Sequence, residues 1–276
     1  MNRFVRILIL AAALVCVLTS GKPAEQAFTV QGPQGNICAL LHKPDGFRKG
    51  RSYPVVLIFH GFTGNKNEDM LIMLSEKLGQ EGIASVRFDF NAHGESDGEF
   101  SGMTVANELQ DAQAIYEYVK ALPWSGEIAV AGHSQGGVIA SLFSARNGAD
   151  KVICEVLMAP AATIRDDVLV GKMLGSSFDP VNLPETVSVW GHTVGRAYLE
   201  FMQQTDVYAE SGKFRGKACI IHGSLDTAVP PVAAFKYNEA LPHPELHVLD
   251  GFTHGFGENH PYATGLAVDF LVRELK

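Results

Sequence analysis

Apolar runs without polar alternation recur along this chain, separated by stretches whose apolar residues return every three or four positions. Phe28 to Gln31 and Asn36 to His42, joined through Gly32-Pro33-Gln34-Gly35, fit two antiparallel strands and a glycine-rich turn. Pro54-Val55-Val56-Leu57-Ile58-Phe59 then reads as a strand buried on both faces. Met70, Leu71, Leu74 and Leu78 repeat with helical spacing, Ile83 to Phe90 is strand-like, and Thr104 to Leu122 is helical again. Glu127 to Ala131 forms the next strand and Gly137 to Phe143 begins a helix. Val152 to Met158 is another strand, stopped by Ala159-Pro160. From about 161 to 212 the period breaks down, with Gly171, Gly175, Pro180, Pro184 and Gly191 punctuating short aromatic segments, as in an inserted, functional stretch. Alternation resumes with a strand at Lys217 to Ile221, a helix at Val232 to Leu241, a strand at Glu245 to Leu249 and a terminal helix at Ala263 to Leu275. This order specifies an α/β fold: a mostly parallel central sheet with antiparallel N-terminal strands and helices on both faces, its site at the carboxyl ends of the strands.

The 276 residues suit one domain, residues 28–276, behind a leader. Arg3 and Arg6, the apolar run Ile7 to Leu18 and Thr19-Ser20-Gly21 have the order of a signal peptide over residues 1–21, which makes the protein secreted or periplasmic. Cys16 follows Val15, a poor context for lipidation, and a retained N-terminal anchor is the competing reading. The formal net charge of −8 disfavours nucleic acid or a stable membrane surface as partner; a homodimer is compatible with the sequence. Cys38, Cys154 and Cys219 read as unpaired thiols. No C-x-x-C or H-E-x-x-H spacing appears, so neither metal nor cofactor is expected.

Gly132-His133-Ser134-Gln135-Gly136 lies between a strand and a helix, the context in which small residues let the chain turn sharply and present a serine hydroxyl. A second match to the pattern, Gly94-Glu95-Ser96-Asp97-Gly98, has no helical period after it and reads as a loop. A serine nucleophile needs a base and an orienting acid. Asp226, after the Lys217 strand, and His254, after the last strand, are the expected acid and base. Asp250 rivals the acid; His222, His243 and His247 rival the base, each with a stronger structural reading. The backbone amides of Gln135 and of Phe62 in His60-Gly61-Phe62 are the expected oxyanion donors.

His60-Gly61-Phe62-Thr63-Gly64, Asp89-Phe90-Asn91-Ala92-His93-Gly94-Glu95-Ser96, Gly132 to Gly137, His222-Gly223-Ser224-Leu225-Asp226 and His254-Gly255-Phe256 together resemble the α/β-hydrolase superfamily. Ala159 to Thr163 and the insertion after it narrow the resemblance to bacterial feruloyl or cinnamoyl esterases. The resemblance covers the chain from about residue 30 onward. It implies a lid at about 161–212, with Asp167 and Tyr198 standing where polar contacts to a substrate's phenolic hydroxyls would fall; the competing reading is that both are solvated lid residues, with Tyr198 packed inward. It also implies a hydroxycinnamate ester as partner, small or polysaccharide-linked, cleaved through an acyl-enzyme. Ala92 departs from the family's glycine, so a positive φ there would be strained, and Leu174 stands where a polar contact is expected. Alternatives are a prolyl-oligopeptidase-like peptidase, a general short-chain acyl esterase and a non-catalytic hydrolase-like binding protein.

Overall fold

The computed structural model describes residues 25–276; the leader expected at 1–21 lies outside the described residues. Strands β1 (Gln26–Gly32), β2 (Gly35–His42) and β3 (Tyr53–Phe59) are followed by α1 (Asp69–Gln80), β4 (Ala84–Phe88), α2 (Val105–Lys120), β5 (Ser125–His133), α3 (Gln135–Asn147) and β6 (Cys154–Met158). The segment after β6 is α4 (Thr163–Leu169), β7 (Lys172–Met173), β8 (Ser176–Ser177), β9 (Thr186–Val189), β10 (His192–Gly195), α5 (Arg196–Gln204) and α6 (Val207–Ser211). Then come β11 (Lys217–Gly223), α7 (Val232–Ala240), β12 (Pro244–Leu249) and α8 (His260–Leu275).

Eight strands form one sheet in the order β1-β2-β4-β3-β5-β6-β11-β12. The β1/β2 and β2/β4 pairs are antiparallel; from β4 to β12 every pair is parallel. Helices bury both faces, which is why β3 and β6 are apolar at nearly every position instead of alternating, and why β4 is buried throughout although it carries Ser85 and Arg87. On one side α2 and α3 pack with Leu57, Val86, Val130 and Leu157; on the other, α1 and α8 pack with Val56, Ile58, Ala129, Val156 and Ile221.

The segment 161–212, irregular by its sequence period, contains three short helices and two hairpins. It is too punctuated for a sustained period, because each element is only two to nine residues long. Its apolar residues do not form a separate core: Val168, Met173, Val189, Val194, Tyr198, Leu199, Met202 and Val207 join the cluster over α2 and α3. Both hairpins turn through two residues of positive φ, Leu174-Gly175 and Trp190-Gly191, the backbone that fits the twist of tightly joined strands. Among the described residues, no helix is long and apolar enough to cross a membrane.

Candidate active site

The turn between β5 and α3 is built by close contact. A Cβ on Gly132 would stand 2.0 Å from the Gly136 carbonyl oxygen, and one on Gly136 would stand 2.3 Å from the Phe59 carbonyl oxygen. Only glycine lets the three backbones meet. Ser134, between them, has φ 56° and ψ −121°, a costly conformation for a side chain of this kind. Neighbouring chain holds it there: the Ser134 amide donates to the Met158 carbonyl at 2.9 Å, and the Ala161 amide donates to the Ser134 carbonyl at 3.0 Å.

The Ser134 hydroxyl lies 2.9 Å from His254 Nε2, and His254 Nδ1 lies 2.7 Å from Asp226 Oδ2. Donation from Nδ1–H to the carboxylate leaves the Nε2 lone pair facing the hydroxyl, the tautomer needed to take its proton. Burial, the largest influence on Asp226, acts to raise its pKa. Hydrogen bonds from His222 and His254, the charge of His254 and the Val229 amide outweigh it and hold the carboxyl well below the usual carboxylate range. His222, a rival for the base, is fully buried. Its Nε2–H is shared between the Val229 carbonyl at 2.9 Å and Asp226 Oδ2 at 3.1 Å, so it steadies the acid. His247 pairs with Glu245 at 2.8 Å, and His243 and Asp250 are exposed. Ser96, in the second pattern match, donates to the Asp89 carbonyl at 2.7 Å and accepts from the Cys38 amide at 2.8 Å.

Phe62 and Gln135 both border Ser134, and among the described residues no carbonyl accepts from either backbone amide. The loop carrying Phe62 is fixed from several sides. His60 Nε2 accepts from the Phe90 amide at 3.0 Å while its Nδ1 donates to the Gly61 carbonyl at 2.8 Å. Burial, then the nearby His93, pushes the His60 pKa down to about 3, so it is neutral and suited to both bonds. His93 Nε2 lies 2.6 Å from the Phe62 carbonyl oxygen. Buried Lys66 donates to Asp89 at 2.6 Å and to Glu95 at 2.5 Å, tying this loop to the segment after β4. Ala92 in that segment has φ 70°, the strained left-handed backbone expected where related chains carry glycine.

Ser134 opens onto a cavity of about 280 Å³ lined by Gly61, Phe62, Glu68, His133, His254 and, from the segment 161–212, Ile164, Leu174 and Trp190. Neither expected phenol contact lines it. Tyr198 is fully buried, and its hydroxyl donates to Gln135 Oε1 at 2.7 Å; Gln135 Nε2 in turn donates to Glu108 Oε2 at 2.7 Å. The correction has a simple cause: α5 buries its Tyr198-Leu199-Met202 face against the core, so the phenol is spent on the residue after the nucleophile. Asp167, at the surface end of α4, is half-buried, and its pKa is raised by burial and by Asp166. Leu174 and Trp190, both hairpin-tip residues, supply the wall instead. The Trp190 ring stands edge-on to Phe62 at 6.3 Å, and the Phe62 ring is itself 6.0 Å from that of Tyr198.

These features agree with what known proteins show. A structure of ferulic acid bound to Est1E from Butyrivibrio proteoclasticus superposes with a TM-score of 0.85 at 29% identity, covering 90% of this chain and 99% of that one. A family model described as serine aminopeptidase, S33, matches residues 50–181. The chain has the α/β-hydrolase fold. The esterase domain of a Rhodothermus marinus protein shares the α/β-hydrolase fold at 18% identity and a TM-score of 0.69, covering 92% of this chain and 100% of that one. Among curated relatives, lysophosphatidylserine lipase ABHD12 of Danio rerio is 33% identical over 187 residues, 65% of this chain and 45% of the relative. The chain spans less than half the length of the curated relatives it matches.

One group among the described residues gathers metal-ligand types: Cys219, Glu245 and His247, with donor atoms within 4.8 Å of one another. Arg273 already pairs with Glu245, and burial, then Glu245, pushes the Cys219 thiol up to about 12. A cation there would have to displace a guanidinium and deprotonate that thiol, so the set reads as an ion-paired sheet edge.

Proposed function

We propose that this protein is a serine carboxylic-ester hydrolase that releases hydroxycinnamic acids such as ferulic acid from plant-derived esters. The relay from Asp226 through His254 to Ser134, opening onto a cavity walled by Ile164, Leu174 and Trp190, carries this reading. At about 280 Å³ the cavity lies just below the range usual for small-molecule sites, about 300 to 1,000 Å³. It suits one flat aromatic acyl group better than a polymer segment. The likeness to Est1E, solved with ferulic acid, supports the same acyl class.

In this mechanism His254 Nε2 takes the Ser134 proton as the oxygen attacks the ester carbonyl. The amides of Phe62 and Gln135 receive the developing oxyanion, each worth about 3 to 4 kcal/mol when such a donor is lost. His254 then protonates the leaving alcohol, and the acyl group stays on Ser134. Water enters, gives its proton to His254 and releases the acid. Asp226 keeps the imidazole in the required tautomer throughout. The enzyme acts outside the cytoplasm in this proposal, after loss of residues 1–21.

A panel of methyl ferulate, p-nitrophenyl butyrate and a prolyl-peptide substrate tests the assignment. Ferulate should give the highest kcat/KM. A faster prolyl substrate would favour the peptidase chemistry in the matching family's description and overturn the proposal.

A further inference from the structure

Glu68 precedes α1 at the position where a side chain ordinarily caps a helix, but its carboxyl makes no capping bond. It turns instead into the cavity that holds Ser134 and His254. The position is built: a Cβ on Gly64 would stand 2.0 Å from Glu68 Oε1, so the carboxyl packs on bare backbone that only glycine offers. Among the described residues no lysine or arginine pairs with it. The nearest cation in the loop, Lys66, is committed to Asp89 and Glu95. Burial raises the Glu68 pKa, while the Asn65 amide and the charge of His254 act to lower it. A half-buried acceptor with no cation partner, facing a reaction cavity, has unused capacity for donors from a ligand.

The two walls of the cavity differ. Ile164, Leu174 and Trp190 are apolar and come from the segment after β6; Thr63, Gly64 and Glu68 come from the loop after β3. His254 must hand its proton to the leaving oxygen, so the alcohol half of an ester occupies the side of the cavity next to His254, and Glu68 lines the same cavity. We propose that Glu68 binds the alcohol half of the substrate, its carboxyl accepting hydrogen bonds from the hydroxyls of a sugar. This rests on the ester-hydrolase reading and adds to it the class of alcohol.

The test compares wild type, Glu68→Gln and Glu68→Ala on three esters sharing one acyl group: feruloyl arabinose, methyl ferulate and feruloylcholine. The readout is the ratio of kcat/KM for each alcohol to that for methanol, which cancels any loss of folded enzyme. Removing the acceptor should lower the arabinose-to-methyl ratio about tenfold, with Glu68→Gln falling between wild type and Glu68→Ala. An unchanged ratio overturns the proposal. A larger loss for choline than for arabinose assigns the carboxyl to a cation and overturns the sugar assignment. If wild type cleaves no ferulate ester, the acyl assignment fails on its own, and the same three alcohols as butyrates still decide the role of Glu68.

Discussion

Replacing Tyr198 with phenylalanine should weaken the fold without changing which ester the enzyme prefers. The ring is fully buried and would stay in place, so no cavity opens. What is lost is the donor to Gln135 Oε1, 2.7 Å away. Rotation of the Gln135 amide offers no rescue, because its Nε2 is held by Glu108 at 2.7 Å. Burial, then Asp111, raises the Glu108 pKa well above its usual value, which favours the uncharged carboxyl in this network. Leaving one buried acceptor unpaired costs about 1 to 3 kcal/mol. For a chain of this size each kcal/mol corresponds to roughly 2 to 4 °C in Tm, a drop of about 2 to 12 °C in all. The urea midpoint should fall with it. kcat/KM for methyl ferulate and for p-nitrophenyl butyrate should change by the same factor, because Gln135 serves both substrates through its backbone amide. A severalfold loss confined to ferulate, at an unchanged urea midpoint, would refute this and return Tyr198 to the substrate.

Other consequences are open to equally direct measurement. Glu155 is buried in β6 with neither carboxyl oxygen hydrogen-bonded, and burial pushes its carboxyl up to about 8. The folded state therefore holds a proton that the unfolded chain releases near pH 4.5, and the associated stability is lost as pH rises from about 4.5 through 8. Urea midpoints should decline over that window in wild type and decline less in Glu155→Gln; parallel profiles would count against a neutral Glu155. Ala92→Gly relieves the φ of 70° and should stabilise the fold by about 1 kcal/mol, so a lower melting temperature would contradict the strain argument. Asp226→Asn should cut kcat by roughly ten-thousandfold with the fold intact, and a loss below tenfold would remove Asp226 from the relay.

The sheet was legible because its strands are buried on both faces and so read as unbroken apolar runs, while the helices between them keep a clear period. The Ser134 elbow, Asp226 and His254 were legible because each follows a strand end in motif context, and the distances of 2.9 and 2.7 Å bring the three together. The segment 161–212 was not, since elements of two to nine residues carry too few turns for a period to emerge. Tyr198 and Asp167 were expected at the substrate because of the esterase resemblance, with an inward Tyr198 as the alternative. Which way α5 faces depends on tertiary packing, and it turns the phenol toward Gln135. Glu68 gave no signal beyond an acidic residue before a helix. Leu174 was already expected at a substrate-contact position; Trp190 could have been found from Trp190-Gly191, a pair suited to a two-residue hairpin turn with an apolar tip.

The central claim is that Ser134 is the attacking atom's residue, and turnover of p-nitrophenyl butyrate by Ser134→Ala tests it most directly. Loss of the hydroxyl should lower kcat by on the order of a millionfold at an unchanged urea midpoint. Turnover within tenfold of wild type would contradict it.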